Sequence, residues 1–153
     1  MTNFAHLDLA HPADDDRSAR AASLRSRAFV QAADRAGWLG IFAEGAVVQD
    51  PVGVSFLDET GEGHQGPEGI GAFWDNVISK NPVRMDIIGS HAGGNECANY
   101  LTITTTFPDG SSVAGEMVAI YQVDETGQVQ TLRAFWEVDQ LRFSAAAAAA
   151  EDR

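Results

Sequence analysis

The chain is predicted to fold as an α+β domain, a curved antiparallel sheet wrapped around three N-terminal helices. Three observations predict it. Residues 17–36 contain neither Gly nor Pro and are rich in Ala, Arg and Leu, which favours a long first helix. Ile70, Phe73, Trp74, Val77 and Ile78 recur at spacings of three, one, three and one, the signature of an amphipathic helix. From residue 83 onward the pattern becomes strands separated by Gly- and Asp-containing turns. Helices followed by a run of antiparallel strands give the α+β order. Such a sheet is expected to curl around the helices and leave a cavity.

Taken in order, residues 1–16 read as a flexible acidic arm carrying Pro12 and the run Asp14, Asp15, Asp16. That run suits a solvated helix start. In the first helix Ala22, Phe29, Val30 and Ala33 fall roughly on one face. Gly37 interrupts it, and residues 38–42 make a short second helical turn. Residues 46–50 alternate as a strand, with Ala46, Val48 and Asp50 on one face. Pro51 has no N–H and ends regular pairing. Residues 53–66 form a Gly-rich acidic loop. The third helix opens at Gly66 and Pro67, with Pro at its first position, and Asn81 and Pro82 close it. Strands follow over 83–90, 98–107, 112–123 and 129–141, with hairpin-type turns between them. The domain proper is 17–143, and 144–153 form an Ala-rich tail without an apolar stripe to dock it.

Composition narrows the function classes. A length of 153 residues suits one domain. A formal charge of −12 disfavours nucleic acid and anionic membrane surfaces. No apolar run approaches the roughly 18 residues of a membrane span. The N-terminal residues lack the basic start and apolar core of a signal peptide, so a cytoplasmic location is expected. The single cysteine, Cys97, excludes an internal disulfide and suits packing as a small apolar residue.

Asp50 is the first candidate for chemistry. A carboxyl on the inward face among apolar groups is desolvated, its pKa rises, and it becomes a usable proton acceptor. Asp-Pro is also a common turn starter. Two later strands supply context. Met117, Ala119, Tyr121 and Val123 share one face, as do Leu132, Ala134, Trp136 and Val138. These residues serve as core, and a phenol and an indole on such a wall also suit a flat hydrophobic ligand. The histidines are weaker candidates. His6 and His11 lie in the arm, His64 in the loop and His91 near a turn, none at metal-ligand spacing, so no metal is expected. Ser26 lacks a GxSxG setting, and the glycines from 61 to 71 lack a phosphate-binding pattern, so no cofactor is expected.

Residues 25–143 resemble the ketosteroid isomerase and SnoaL-like families of the nuclear-transport-factor-two-like superfold. The resemblance rests on QAADRAGWLGIFAEGAVVQDPVG, GPEGIGAFWDNVIS and GQVQTLRAFWEVDQL, in family order and spacing. It implies a cone-shaped fold with a deep apolar pocket, a homodimer through the outer sheet face, and Asp50 as general base. The expected ligand-lining set is Ser26, Val30, Phe42, Phe73, Met117, Ala119, Leu132, Ala134 and Trp136, of which Trp136 matches a pocket aromatic of some family members. The family stabilises its dienolate oxygen with a first-helix Tyr and a protonated Asp. Here those positions hold Ser26 and Ala119. Losing one such donor typically costs roughly 10²–10³ in rate. Tyr121, two residues along from Ala119 on the same face, is the candidate replacement.

Three functions fit this pattern. One is proton transfer on a steroid-like or polyketide-derived carbonyl compound, with Asp50 as base and Tyr121 as polarising donor. Another is a SnoaL-like cyclase or epoxide hydrolase, which needs a second inward acid; Glu116 faces the other side of its strand. The third is a steroid- or lipid-binding protein without catalysis. In each the partner is a small hydrophobic ligand.

Overall fold

The structure is a computed structural model describing residues 9–146. The remainder of the arm (1–8) and of the Ala-rich tail (147–153) lies outside the described residues. Helix α1 spans Ala19–Gln31. Its cap is Ser18, whose hydroxyl accepts from the Ala21 N–H at 3.1 Å. The helix buries small residues, Ala19, Ala22, Ser23 and Ser26, at a three-one-three spacing. Small side chains on that face leave space between the helix and the sheet.

Helix α1 ends on Ala33, a non-glycine residue at φ 55°. The Asp34 N–H then returns to the Phe29 carbonyl at 2.9 Å, as in a Schellman-type stop. Asp34 caps helix α2, Arg35–Leu39, by accepting from the Gly37 N–H at 2.9 Å. The second helical turn therefore lies three residues earlier than the pattern predicts. Gly37 is required there: a Cβ would meet the Phe29 ring at 2.5 Å. Strand β1, Phe42–Gln49, is correspondingly longer than predicted. A short strand β2, His64–Gln65, pairs with it. Helix α3 covers Gly66–Asn76 and seats Ile70, Phe73 and Trp74 in the core. It gives way to a 3-10 turn, Ile78–Lys80, before Pro82.

The sheet is built from β3 (Val83–Gly93), β4 (Glu96–Thr106), β5 (Ser112–Val123), β6 (Val129–Phe135) and β7 (Arg142–Ser144) with the first two strands. Its order is β2-β1-β6-β5-β4-β3, with β7 added on β5. The architecture is α+β as predicted, with one refinement. β1 runs parallel to β6, so the sheet is mixed.

The pattern also predicts one continuous strand over 129–141. The chain instead leaves the sheet after Phe135, makes a 3-10 turn at Val138–Gln140, and rejoins β5 as β7. Val138, predicted on the inner face, is 52% exposed. The excursion folds Leu141 over Gly115, where a Cβ would sit 2.6 Å from the leucine methyl. Cys97 is fully buried, as expected of a small apolar residue. Among the described residues no helix is long and apolar enough to cross a membrane.

The left-handed Ala33 generates a prediction. A residue with a Cβ is disfavoured there, and glycine is not. Ala33→Gly should stabilise the fold by about 0.5–1 kcal/mol. Urea denaturation measures this, and a loss of stability would refute the strain at this turn.

Candidate active site

Helices α1 and α3 and the inner faces of β3 to β6 enclose a cavity of about 390 Å³. That is the size of a small-molecule pocket. Its walls are overwhelmingly apolar. Of the predicted site residues, Asp50, Tyr121, Ser26, Val30, Phe73, Met117, Ala119, Leu132, Ala134 and Trp136 all line it. Phe42 does not. The register of β1 against β6 shifts between Phe42 and Val47, and the Phe42 ring packs edge-on against Trp38 at 4.7 Å instead.

Asp50 follows the buried Ala46 and Val48 on the same side of β1, so alternation carries its carboxyl inward. The Trp136 indole N–H donates to Asp50 Oδ1 at 2.5 Å. Oδ2 has no protein partner, yet His64 Nε2 is the one sealed and unpartnered side-chain atom among the described residues. Oδ2 therefore opens on the cavity. Burial pushes the Asp50 carboxyl above its ordinary range, opposed by the Trp136 hydrogen bond and by the nearby His64. Asp50 is the only carboxylate among the residues lining the cavity.

A hydroxyl pair forms the other polar feature. Tyr121 OH donates to Ser26 Oγ at 2.8 Å, and the Trp38 indole N–H donates to Ser26 Oγ at 2.9 Å. An indole N–H only donates, so Ser26 must accept from Trp38. The Ser26–Tyr121 contact consumes one of the pair's two hydroxyl protons. With Tyr121 as the donor, the Ser26 O–H is the one that remains free for a ligand. Burial raises the Tyr121 phenol above its ordinary pKa, against the opposing Ser26 bond, so it stays a donor.

Beside Ala119, the register places Asn99. Its carboxamide is committed elsewhere, donating to Ser23 Oγ at 2.9 Å and accepting from Cys97 Sγ at 3.3 Å. Glu116 is on the outer face, where it accepts from Tyr100 OH at 2.6 Å. No group of three or more His, Cys, Asp or Glu side chains suited to a metal occurs among the described residues.

Two parts of the site escape the sequence pattern. His64, predicted in a loose loop, pairs opposite Val48 on β2 and stacks on Phe73 with ring centres 4.5 Å apart. A two-residue strand is too short for periodicity to reveal. The preceding loop is held by Asp58. Burial opposes its charge, but the Gly63 and Gly61 N–H groups outweigh that and keep its carboxyl below the usual range. Held in this way, the loop adds Phe56 and Leu57 to the lining, and Phe56 meets Trp136 edge-on at 6.4 Å. The tight Asp-x-x-Gly-x-Gly spacing is the signal that could have indicated a fixed loop.

The raised Asp50 carboxyl has a consequence for stability. Between its unfolded and folded pKa values the folded chain holds the extra proton, so stability falls as pH rises through that window and stays low above it. Asp50→Asn should therefore stabilise the protein at pH 7, by an amount that vanishes as pH falls toward about 4. Denaturation across a pH series tests this. A pH-independent effect, or destabilisation at neutral pH, would contradict the buried charge.

Comparison with known proteins agrees with this fold. The SnoaL-like domain family matches residues 24–132. The crystal structure of RV0760c from Mycobacterium tuberculosis is 30% identical with a TM-score of 0.80, covering 87% of this chain and 100% of that one. RV0760c has also been solved with estradiol-17beta-hemisuccinate. The Delta 5-3-ketosteroid isomerase from Mycobacterium sp. is 34% identical, TM-score 0.78, covering 82% and 98%. SalBIII, an epoxide hydrolase/cyclase-like enzyme of pyran ring formation in salinomycin, shares the fold at 18% identity and TM-score 0.69, covering 82% and 94%. No curated protein sequence matches the chain. On the family match and these structural relatives, the chain belongs to the SnoaL-like family of the nuclear-transport-factor-two-like superfold.

Proposed function

We propose that this protein is a steroid-isomerase-like catalyst of proton transfer on a hydrophobic carbonyl compound, steroid-like or polyketide-derived, acting in the cytoplasm. The observation that carries the reading is the pairing of two groups in one apolar cavity. One is a carboxylate oxygen without a protein partner, and the other is a hydroxyl pair with one free proton. Asp50 would take a proton from carbon next to the carbonyl. The electron pair moves onto the carbonyl oxygen, which accepts a hydrogen bond from the Ser26–Tyr121 pair. Asp50 then returns the proton to the far carbon of the conjugated system. Desolvation raises the basicity of Asp50, and the Trp136 bond fixes its orientation.

A second reading is binding without turnover. It is favoured by Ser26 and Ala119 standing where the family resemblance implies two acidic donors, which leaves one neutral donor in place of two. The structure of RV0760c with a steroid ester supports a steroid-like ligand for either reading. The cyclase reading is weaker, because no second carboxylate lines the cavity.

Catalysis makes specific demands on a Δ5-3-ketosteroid assay. Asp50→Asn should lower kcat by roughly 10²–10⁴. Activity should rise with pH along a limb above the ordinary carboxylate range, because the base must be ionised. Ser26→Ala and Tyr121→Phe should each leave one donor, while the double variant should lose roughly 10²–10³. Undiminished turnover in Asp50→Asn would falsify the mechanism. Ligand binding with no turnover in the native protein would establish the second reading.

The reading includes a homodimer through the outer sheet face. Tyr100, Val118 and Phe135 stand in register across β4, β5 and β6, and all three are partly exposed. A contiguous apolar row of this kind suits a protein contact. Val118→Glu should convert a dimer to a monomer in sedimentation, and a native protein already monomeric at micromolar concentration would refute the interface.

A further inference from the structure

The cavity has a second polar end. Asn81 and Thr105 line it far from Asp50, and neither side chain has a hydrogen-bond partner among the described residues. Asn81 is in extended conformation, so its side chain shares the inward face of Val83 and Met85. Val83 pairs directly with Thr105. The carboxamide and the hydroxyl are thus diagonal neighbours, about 7–8 Å apart at the backbone and within reach of one ligand atom. Around them the wall is Val83, Ile103, Phe107, Val113 and Leu141, all apolar.

Register gives the separation from the chemistry. Thr105 lies opposite Val113 on β5, eight residues along the strand from Tyr121. Eight strand residues span at most about 27 Å. The side chains at both ends, their hydrogen bonds and the curl of the sheet shorten that separation for the ligand atoms.

We propose that Asn81 and Thr105 form a specificity-determining anchor for a polar oxygen at the end of the ligand remote from its reactive carbonyl. The preferred ligand is an elongated, rigid, apolar molecule with an oxygen at each end. This rests on the reading of the cavity as a pocket for a small apolar ligand, whether or not turnover occurs. The physical basis is desolvation. A hydrocarbon end would strip water from both side chains and offer nothing in return, whereas a hydroxyl or carbonyl replaces that water.

The test compares two probes, a 3-ketosteroid with a 17-hydroxyl and its 17-deoxy analogue. Binding is followed by quenching of the cavity tryptophans Trp38 and Trp136. The native protein should prefer the hydroxylated probe by about tenfold. In Asn81→Leu/Thr105→Val that preference should fall to within about twofold, with the single variants between. Equal binding of both probes to the native protein, or an intact preference in the double variant, would overturn the anchor alone. Failure of both probes to bind would instead overturn the reading of the cavity on which it rests.

Discussion

The site depends on one constraint, an acidic side chain carried into an apolar cavity with a single hydrogen-bond partner. Desolvation disfavours its charge, and the indole N–H of Trp136 offsets that only in part. The surrounding structure meets the requirements of this arrangement. β1 ends at Gln49, so Asp50 leaves the ladder while its side chain keeps the inward direction of Ala46 and Val48. β6 ends at Phe135, which frees Trp136 from the sheet to turn its N–H toward the carboxylate. The loop knotted around Asp58 then places Phe56 over the indole. Each step has its own local cause.

The parity of strand residues made most of the site legible. Asp50, Met117, Ala119, Tyr121, Leu132 and Ala134 all lie inward, as a period of two requires. That logic failed wherever the strand stopped being regular. Phe42 has the parity of Asp50, but a register shift intervenes and sends its ring under α2. Val138 has the parity of Trp136, but the chain has already left the sheet. The alternation of residues 129–141 looks continuous, because nothing in their hydrophobicity marks where pairing lapses. The cause lies across the sheet at Gly115, whose missing side chain makes room for Leu141. Long-range complementarity of this kind is invisible to a local pattern.

Ser26 illustrates a subtler limit. Its position could be read from spacing, and its type suggested a lost donor. Its partners could not be read. Trp38 arrives from α2 and Tyr121 from β5, and together they turn a plain serine into the centre of a three-residue hydrogen-bonded group. The chemistry of the site therefore belongs to the group's count of protons, not to any one residue's identity. The small face of α1 permits it, since Ala22, Ser23 and Ser26 let Trp38 and Tyr121 meet beneath the helix.

The lapse between β6 and β7 also bears on what the cavity wall is made of. On that edge of β5 the ladder skips Gly115, Glu116 and Met117, and the cavity wall there is closed by Trp136 and Leu141 side chains. A wall made of side chains rests on their packing rather than on backbone pairing. Substitutions at Trp136 and Leu141 thus change the shape of that stretch of wall without altering the pairing of the sheet.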